Sequence, residues 1–296
     1  MKKKCTLFRK TWNLAFVKGG IDALFSDQEL EVEIVKNPFR DRWFADPFVL
    51  DVTDRKIYLL AEELCYDAPK GRVAKLTIDR QSMTIEKYDI ILECPTHLSF
   101  PNILRKDDTI YVYPETCRTG KLDIYEYDLE HERLVSPKKI CNDGVWDAAI
   151  SDLLGKRQLF AACQDDYIMD IYDWDESQQI FIPSQTIRSE QKDNRMAGQL
   201  FEYKGEVYCP TQDCSQTYGG GVWLKRVVKD GEKLQLVPVK KITPPAKTKC
   251  EGLHTLNEYK GVVVVDLKGW VHPLGQKLYN LFRTFIPIPK SKAADI

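Results

Sequence analysis

Residues 47–64 read PFVLDVTDRKIYLLAEEL: an apolar run, a charged turn, and a second apolar run. The branched and aromatic side chains suit two strands, and DVTDR at 51–55 joins them as a hairpin. The same plan returns in FPNILRKDDTIYVYPET (100–116), AAISDLLGKRQLFAACQDD (148–166), AGQLFEYKGEVYCPTQD (197–213) and EGLHTLNEYKGVVVVDLKG (251–269). The recurrence is about 50 residues, the period of a four-stranded propeller blade.

Each of the first four hairpins is followed by two more strand-like runs. They are GRVAKLTID and TIEKYDIILE, then LDIYEYDL and RLVSPKKI, then YIMDIYDW and FIPSQTIR, and last GVWLKRVV and LQLVPVKKI. The fifth hairpin lacks this outer pair, whereas the N-terminal runs TWNLAFVKG and ELEVEIVKN lack a hairpin. The pattern predicts an all-β five-bladed β-propeller whose last blade is closed by the N-terminal strands, which removes exposed sheet edges. A pair of β-sandwiches is the alternative. Residues 1–274 are expected to form one domain. The tail, 275–296, departs from the blade pattern: in LYNLFRTF, Leu278, Leu281, Phe282 and Phe285 share one side of a short amphipathic run. It either packs across the base of the propeller or touches a membrane surface or partner.

The composition narrows the function. The 43 basic and 44 acidic residues nearly cancel, which argues against a nucleic-acid partner. MKKKCTLFRKTW at the start has a basic cluster without an apolar stretch behind it, so no secretory signal is read there. The 9 cysteines form no disulfide framework and fit a cytoplasmic protein, membrane-peripheral if the tail makes such a contact. Cys209 and Cys214 have no second pair and no adjacent His, so neither a zinc site nor any cofactor is expected.

In a propeller the start of each inner strand and the end of the next strand meet around one axial opening. The starts carry Asp46, Ser99, Asp147, Arg195 and Glu251; the ends carry Glu62, Glu63, Glu115, Gln164, Asp165, Gln212, Asp213 and Asp266. Polar residues belong at strand ends, and Asp before Pro is common in turns, so any one of them has a structural reading too. As a set, beside Trp43, Phe44, Phe100, Trp146 and Tyr218, they suit a sugar, whose CH faces stack on rings while its hydroxyls need hydrogen bonds. The GGG at 219–221 precedes a strand rather than a helix and reads as a bend, not a phosphate loop.

The runs WFADPFVL (43–50), HLSFPNILRKDDTIYVYPET (97–116), NRMAGQLFEYKGEVYCPTQDCSQTYGG (194–220) and GLHTLNEYKGVVVVD (252–266) resemble the N-terminal domain family of plant glucosamine inositolphosphorylceramide transferases and their bacterial relatives. The resemblance runs from about Trp12 to Trp270, with the ADPF, HLS-aromatic-P, PE, RxAGQ and GLHT elements in the family's order. It implies a five-bladed propeller related to glycoside hydrolases that attack arabinans, xylans and fructans. The plant proteins carry a separate glycosyltransferase domain after this one, so their transfer activity is not carried over with the resemblance.

In those hydrolases an Asp on the first inner strand is base or nucleophile, an Asp two blades on tunes the acid, and a Glu in a following blade is the acid. Asp46 matches the first position, and Asp147 lies in the blade of the second. Where the acid is expected the sequence reads AGQ, and its role passes to Glu115 in YPET or to Glu251 in EGLH. Cleavage or transfer needs two such carboxyl groups flanking the bond. A Glu beside Pro114 and Tyr113 is placed for a desolvated, raised pKa. His97 and His254 match family motifs and are either sugar-hydroxyl contacts or satisfied core histidines. Arg195 is a candidate grip for an anionic group, and Trp43, Glu62, Trp146, Gln199, Gln212, Asp213 and Tyr218 are candidate substrate contacts. Two functions follow: a glycosidase or glycosyl-group transferase of surface-polysaccharide or glycolipid metabolism, or a non-catalytic propeller that binds a glycan or nucleotide sugar and positions a partner glycosyltransferase.

Overall fold

A computed structural model describes residues 9–116, 119–163, 165–272, 274 and 278. The candidate Gln164 and, apart from Leu278, the expected amphipathic tail lie outside the described residues. Among the described residues the structure is almost wholly β, with a short helix α1 (Gly20–Phe25) and a 3-10 turn (Ala246–Thr248) between strands. No helix among the described residues is long and apolar enough to cross a membrane.

In chain order the strands begin with β1 (Lys10–Val17) and β2 (Val32–Ile34). The first hairpin and its outer pair follow as β3 (Arg42–Val52), β4 (Lys56–Cys65), β5 (Ala68–Asp79) and β6 (Thr84–Leu92). Next are β7 (Ser99–Lys106), β8 (Thr109–Glu115), β9 (Leu122–Asp128) and β10 (Arg133–Cys141), then β11 (Trp146–Ser151), β12 (Gln158–Ala162), β13 (Ile168–Asp175) and β14 (Ile180–Arg188). The chain continues through β15 (Arg195–Met196), β16 (Phe201–Tyr203), β17 (Glu206–Asp213), β18 (Gly221–Asp230) and β19 (Lys233–Ile242), and ends in β20 (Leu256–Tyr259) and β21 (Val262–Trp270).

Among the described residues these strands make four sheets. One runs β3-β4-β5-β6, another β15-β17-β18-β19 with β16 also on β17, and a third β2-β1-β21-β20. The fourth has eight strands, β11-β12-β13-β14-β10-β9-β8-β7. Its two antiparallel halves are joined through their outer strands by one parallel pair, Cys141 with Phe181. The expected N-terminal closure is present: β1 pairs antiparallel with β21 from Lys10↔Trp270 to Phe16↔Val264.

The inner strands stand side by side, β20 beside β3, β3 beside β7, β7 beside β11, and β11 beside β15. Phe48 and Phe100 of β3 and β7 meet Leu60, Val112, Phe160 and Cys209 of the second strands β4, β8, β12 and β17 in one apolar cluster. Phe48 and Phe100 meet edge to face with centroids 4.9 Å apart, a geometry that the ring quadrupoles favour. β4 is buried along nearly its whole length, as a strand covered on both faces must be.

Two features depart from the sequence reading. Pro47 does not mark a strand start: β3 runs through it from Arg42, and the ladder to β4 shifts between Ala45 and Phe48. A bulge admits a proline within a strand because its amide is not needed there. The fourth inner strand is not continuous but breaks between Met196 and Phe201. In that break Ala197 still donates its amide to Pro210 O of β17, while its carbonyl accepts from Leu256 N–H and Gln199 N–H donates to the Asn257 side chain.

Candidate functional site

Three inner strands share one local device. The ladder shifts between Ala45 and Phe48, between Ser99 and Asn102, and between Trp146 and Ala149. Within each bulge one residue takes a left-handed backbone: Asp46 (φ 48), Phe100 (φ 45) and Asp147 (φ 46). Such a conformation costs of order 1–3 kcal/mol and persists only where surroundings enforce it. Here it turns the amides of Asp46 and Asp147 onto neighbouring acids. Asp46 N–H donates to Asp266 Oδ2 at 3.0 Å, and Asp147 N–H donates to Glu115 Oε2 at 3.0 Å.

Asp46 is buried. Its Oδ2 accepts from Phe100 N–H (3.1 Å) and its Oδ1 from the Thr255 hydroxyl (2.8 Å). His254 lies beyond, with Nε2 3.7 Å from Asp46 Oδ1 and Nδ1 2.7 Å from Asp266 Oδ2. Burial pushes Asp46 up to about 7; His254 opposes this, while the charges of Glu62, Asp147 and Asp266 add to it. Burial also disfavours charge on His254, but Asp266 and Asp46 outweigh it and the imidazole titrates above its usual value. Ligand atoms of Asp46, His254 and Asp266 lie within 4.8 Å of one another, a spacing that suits a metal. Their oxygens, however, already accept the amides of Asp46, Phe100, His254 and Thr255. As arranged, the donor hydrogens of the fold fill this cluster, and it reads as a closed hydrogen-bonded network.

The second half of the site is built on Asp147. Arg195 Nε and Gln212 Nε2 (2.7 Å) both donate to its Oδ2, which leaves it poorly placed to take a proton from a ligand. Glu115 is the neighbouring acid, one-tenth exposed and 3.9 Å from Arg195 Nη2. Burial first and the Asp147 charge second push Glu115 up to about 8, against the pull of Arg195. The Arg195 guanidinium lies 5.6 Å from the Trp146 ring and 5.5 Å from Tyr218. Tyr218 in turn meets His254 edge-on at 5.4 Å, linking the two halves.

Other expected site residues are engaged elsewhere. Glu251 accepts from Trp270 Nε1 at 2.6 Å and pairs with Lys10 at 3.3 Å. Asp213 pairs with Lys241 and caps Ser215. Trp43 is buried with Ala45 and Leu64, Trp12 and Tyr66 packing on them. Glu63 is fully buried between Arg42 and Arg72. Gln199 spans two inner strands through Ile150 O (2.6 Å) and the Asn257 side chain (2.8 Å). His97 accepts from Gly71 N–H and so donates through Nε2 to Glu62, at 3.2 Å. Asp165 caps a turn at Tyr167. It is the next residue, Asp166, that faces Arg195, burial raising its pKa against that cation.

Some participants were not singled out from sequence. Trp12 stacks on His254 with centroids 3.8 Å apart, and Thr255 bridges His254 and Asp46. Asp266, by contrast, is among the strand-end carboxylates expected at the opening, closing the run VVVVD; nothing local in the sequence marks Trp12, because only the pairing of β1 with β21 brings it there. A separate groove of about 630 Å³, lined by Asp143, Cys163, Asp170, Tyr172 and Thr186 among others, contains none of the candidates.

Comparison with solved structures finds similarity to the GH43_1 enzyme from Xanthomonas citri complexed with xylotriose. The TM-score is 0.53 at 12% identity, covering 77% of this chain and 86% of that one. It also finds CoXyl43, a GH43 β-xylosidase/α-arabinofuranosidase from a compost metagenome, with TM-score 0.51 at 15% identity over 74% and 83%. At these identities the likeness is one of fold, an all-β propeller architecture. In sequence the chain is 28% identical over 217 residues to glucosamine inositolphosphorylceramide transferase 1 of Oryza sativa subsp. indica, covering 68% of this chain and 28% of that protein. The japonica protein of the same name is 27% identical over 222 residues, with the same coverage. The chain therefore spans about 28% of the length of the curated relatives it matches. A family model described as glucosamine inositolphosphorylceramide transferase 1, N-terminal, matches residues 32–251, more than half of the sequence, and the chain belongs to that family.

Proposed function

We propose that the chain is a carbohydrate-active five-bladed propeller that cleaves or transfers a glycosyl group at its axial carboxylates. The blade count rests on dividing the eight-stranded sheet at its one parallel pair, Cys141 with Phe181. The relatives' name, glucosamine inositolphosphorylceramide transferase 1, and the xylotriose held by structural neighbours support a sugar ligand.

The observation that carries the reading is the difference in surroundings between two buried carboxyl groups: Glu115 accepts the Asp147 amide beside that second carboxylate, whereas Asp46 accepts the Phe100 amide and the Thr255 hydroxyl. Glu115, pushed up to about 8, keeps a proton at neutral pH and is the candidate acid for the leaving oxygen. Asp46, whose two oxygens each accept a donor of the fold that favours the anion, is the candidate base or nucleophile. Asp147, clamped by Arg195 and Gln212, tunes Glu115 rather than reacting. Ala197, in the AGQ run, stands where the hydrolases of the resemblance are expected to carry their acid, and Arg195 lies two residues before it. Glu251, held by Trp270 and Lys10, has no part in this scheme. A cytoplasmic setting, suggested by the cysteine pattern, belongs to the same proposal.

The test is a glycan and sugar-nucleotide screen of wild type beside Glu115→Gln and Asp46→Asn. Each variant should lower turnover about 10²–10⁴-fold, the usual worth of a positioned acid or base, while the ligand still binds. A second reading, a propeller that only binds sugar, draws on the burial of Asp46 and Asp147 and on the fold donors that occupy them. Binding without turnover in the wild type would favour it.

A further inference from the structure

Trp12 on β1 and His254 both lie outside the matched span 32–251, and the indole covers the imidazole at 3.8 Å with an interplanar angle of 22°. We propose that Trp12 is a positioning residue: the N-terminal strand, by closing the last sheet, presses this indole onto His254 and fixes the imidazole between Asp266 and Asp46.

The imidazole has a neighbour on one face, at its edge and at each nitrogen. Trp12 covers one face, and Tyr218 meets it edge-on at 5.4 Å and 87°. Gly219 lets the chain pass close behind: a Cβ there would come within 2.7 Å of His254 Cβ. In the ring plane Nδ1–H donates to Asp266 Oδ2 at 2.7 Å, leaving Nε2 aimed at Asp46 Oδ1, 3.7 Å away. Trp12 is not placed as an open sugar platform, because it also packs on the cluster of Trp43, Ala45 and Leu64. Its place is set by register, Trp12 opposite Lys268 in the β1–β21 ladder. The charged and titratable groups around His254 are Asp46, Asp266 and Asp147, with Tyr218 at its edge; Lys268 lies 5.7 Å from the Trp12 ring.

The role deepens the axial-site reading, since it assigns what holds Asp46's neighbour, but its test does not depend on turnover. In histidine-labelled protein the His254 Nδ1–H proton, bonded to Asp266 and covered by indole, should exchange slowly with water. Trp12→Leu removes the flat cover, and exchange should become more than about tenfold faster, whereas Trp12→Phe keeps a ring on the imidazole and should stay within about threefold of wild type. The His97 Nε2–H signal, held by Glu62, reports whether each variant is folded. Unchanged exchange in a folded Trp12→Leu protein overturns the proposal, as does equal acceleration in Trp12→Phe, which remains the deciding variant should Trp12→Leu not fold. Loss of activity with the proton unaffected would count against Trp12 but not against the axial carboxylates.

Discussion

Glu115 and Asp46 tie the candidate chemistry to stability. Both are carboxyl groups moved upward, chiefly by burial, from ordinary values of 4.5 and 3.8 to about 8 and about 7. Between those limits the folded chain holds protons that the unfolded chain has released. The stabilisation is therefore complete below the unfolded values and is lost as pH rises through the folded ones, the reverse of the usual salt-bridged carboxylate. Urea midpoints should fall from about pH 5 to about pH 8, and the fall should be shallower in Glu115→Gln, which has no proton to lose. A parallel pair of curves would mean that Glu115 titrates near its ordinary value, and it would remove the argument for Glu115 as acid. The raised position was legible in part from YPET, where Tyr113 and Pro114 announce an apolar setting. The partner was not. Nothing local in the sequence states that Asp147, 32 residues away, sets its amide on Glu115.

At the level of strands, the sheets are stitched together near the axis by buried and half-buried amide side chains. Asn102 Nδ2 donates to Ala148 O at 2.9 Å, Gln199 Nε2 to Ile150 O at 2.6 Å, and Asn257 Nδ2 to Pro47 O at 2.9 Å. Asn257 Oδ1 also accepts from Gln199 N–H at 2.8 Å, so this one side chain serves two neighbouring inner strands. Removing it leaves a buried carbonyl and a buried amide unpaired, each worth about 1–3 kcal/mol. Asn257→Ala should cost about 2–4 kcal/mol in urea unfolding, and a loss under about 0.5 kcal/mol, the range of neutral surface changes, would show that water replaces the amide. These bonds explain why Gln199 looked like a ligand contact in sequence: an amide on an apolar inner strand has the same signature whether it meets a sugar or the next sheet. The bulges were hidden for a related reason. Asp46 and Phe100 both precede proline, which normally favours an extended backbone, so ADPF and SFP read as strand starts. The left-handed turn there is imposed by the acids and amides of other strands.

For the molecule as a whole, the period of about 50 residues was visible because each hairpin carries its own alternation and turn. Closure was visible too, since the N-terminal strands and the fifth hairpin each lacked what the other supplied. What the period does not encode is how far the strand ends converge, and hence which carboxylates meet. Closure has a consequence for stability that can be weighed. β1 buries Leu14, Ala15, Phe16 and Val17 and pairs with β21 along its length. Full burial of one large apolar side chain contributes about 1.5–3 kcal/mol, and Leu14, Phe16 and Val17 together approach the 5–15 kcal/mol that a domain has in total. Without β1, the apolar strand β21 would become a bare edge, a template for association. Deleting residues 1–17 should therefore abolish the cooperative thermal transition and drive the protein into aggregates on size-exclusion chromatography. A monomeric deletion protein with the wild-type melting temperature would show that the remaining sheets hold the ring unaided, and that β1 serves the site through Trp12 rather than the fold.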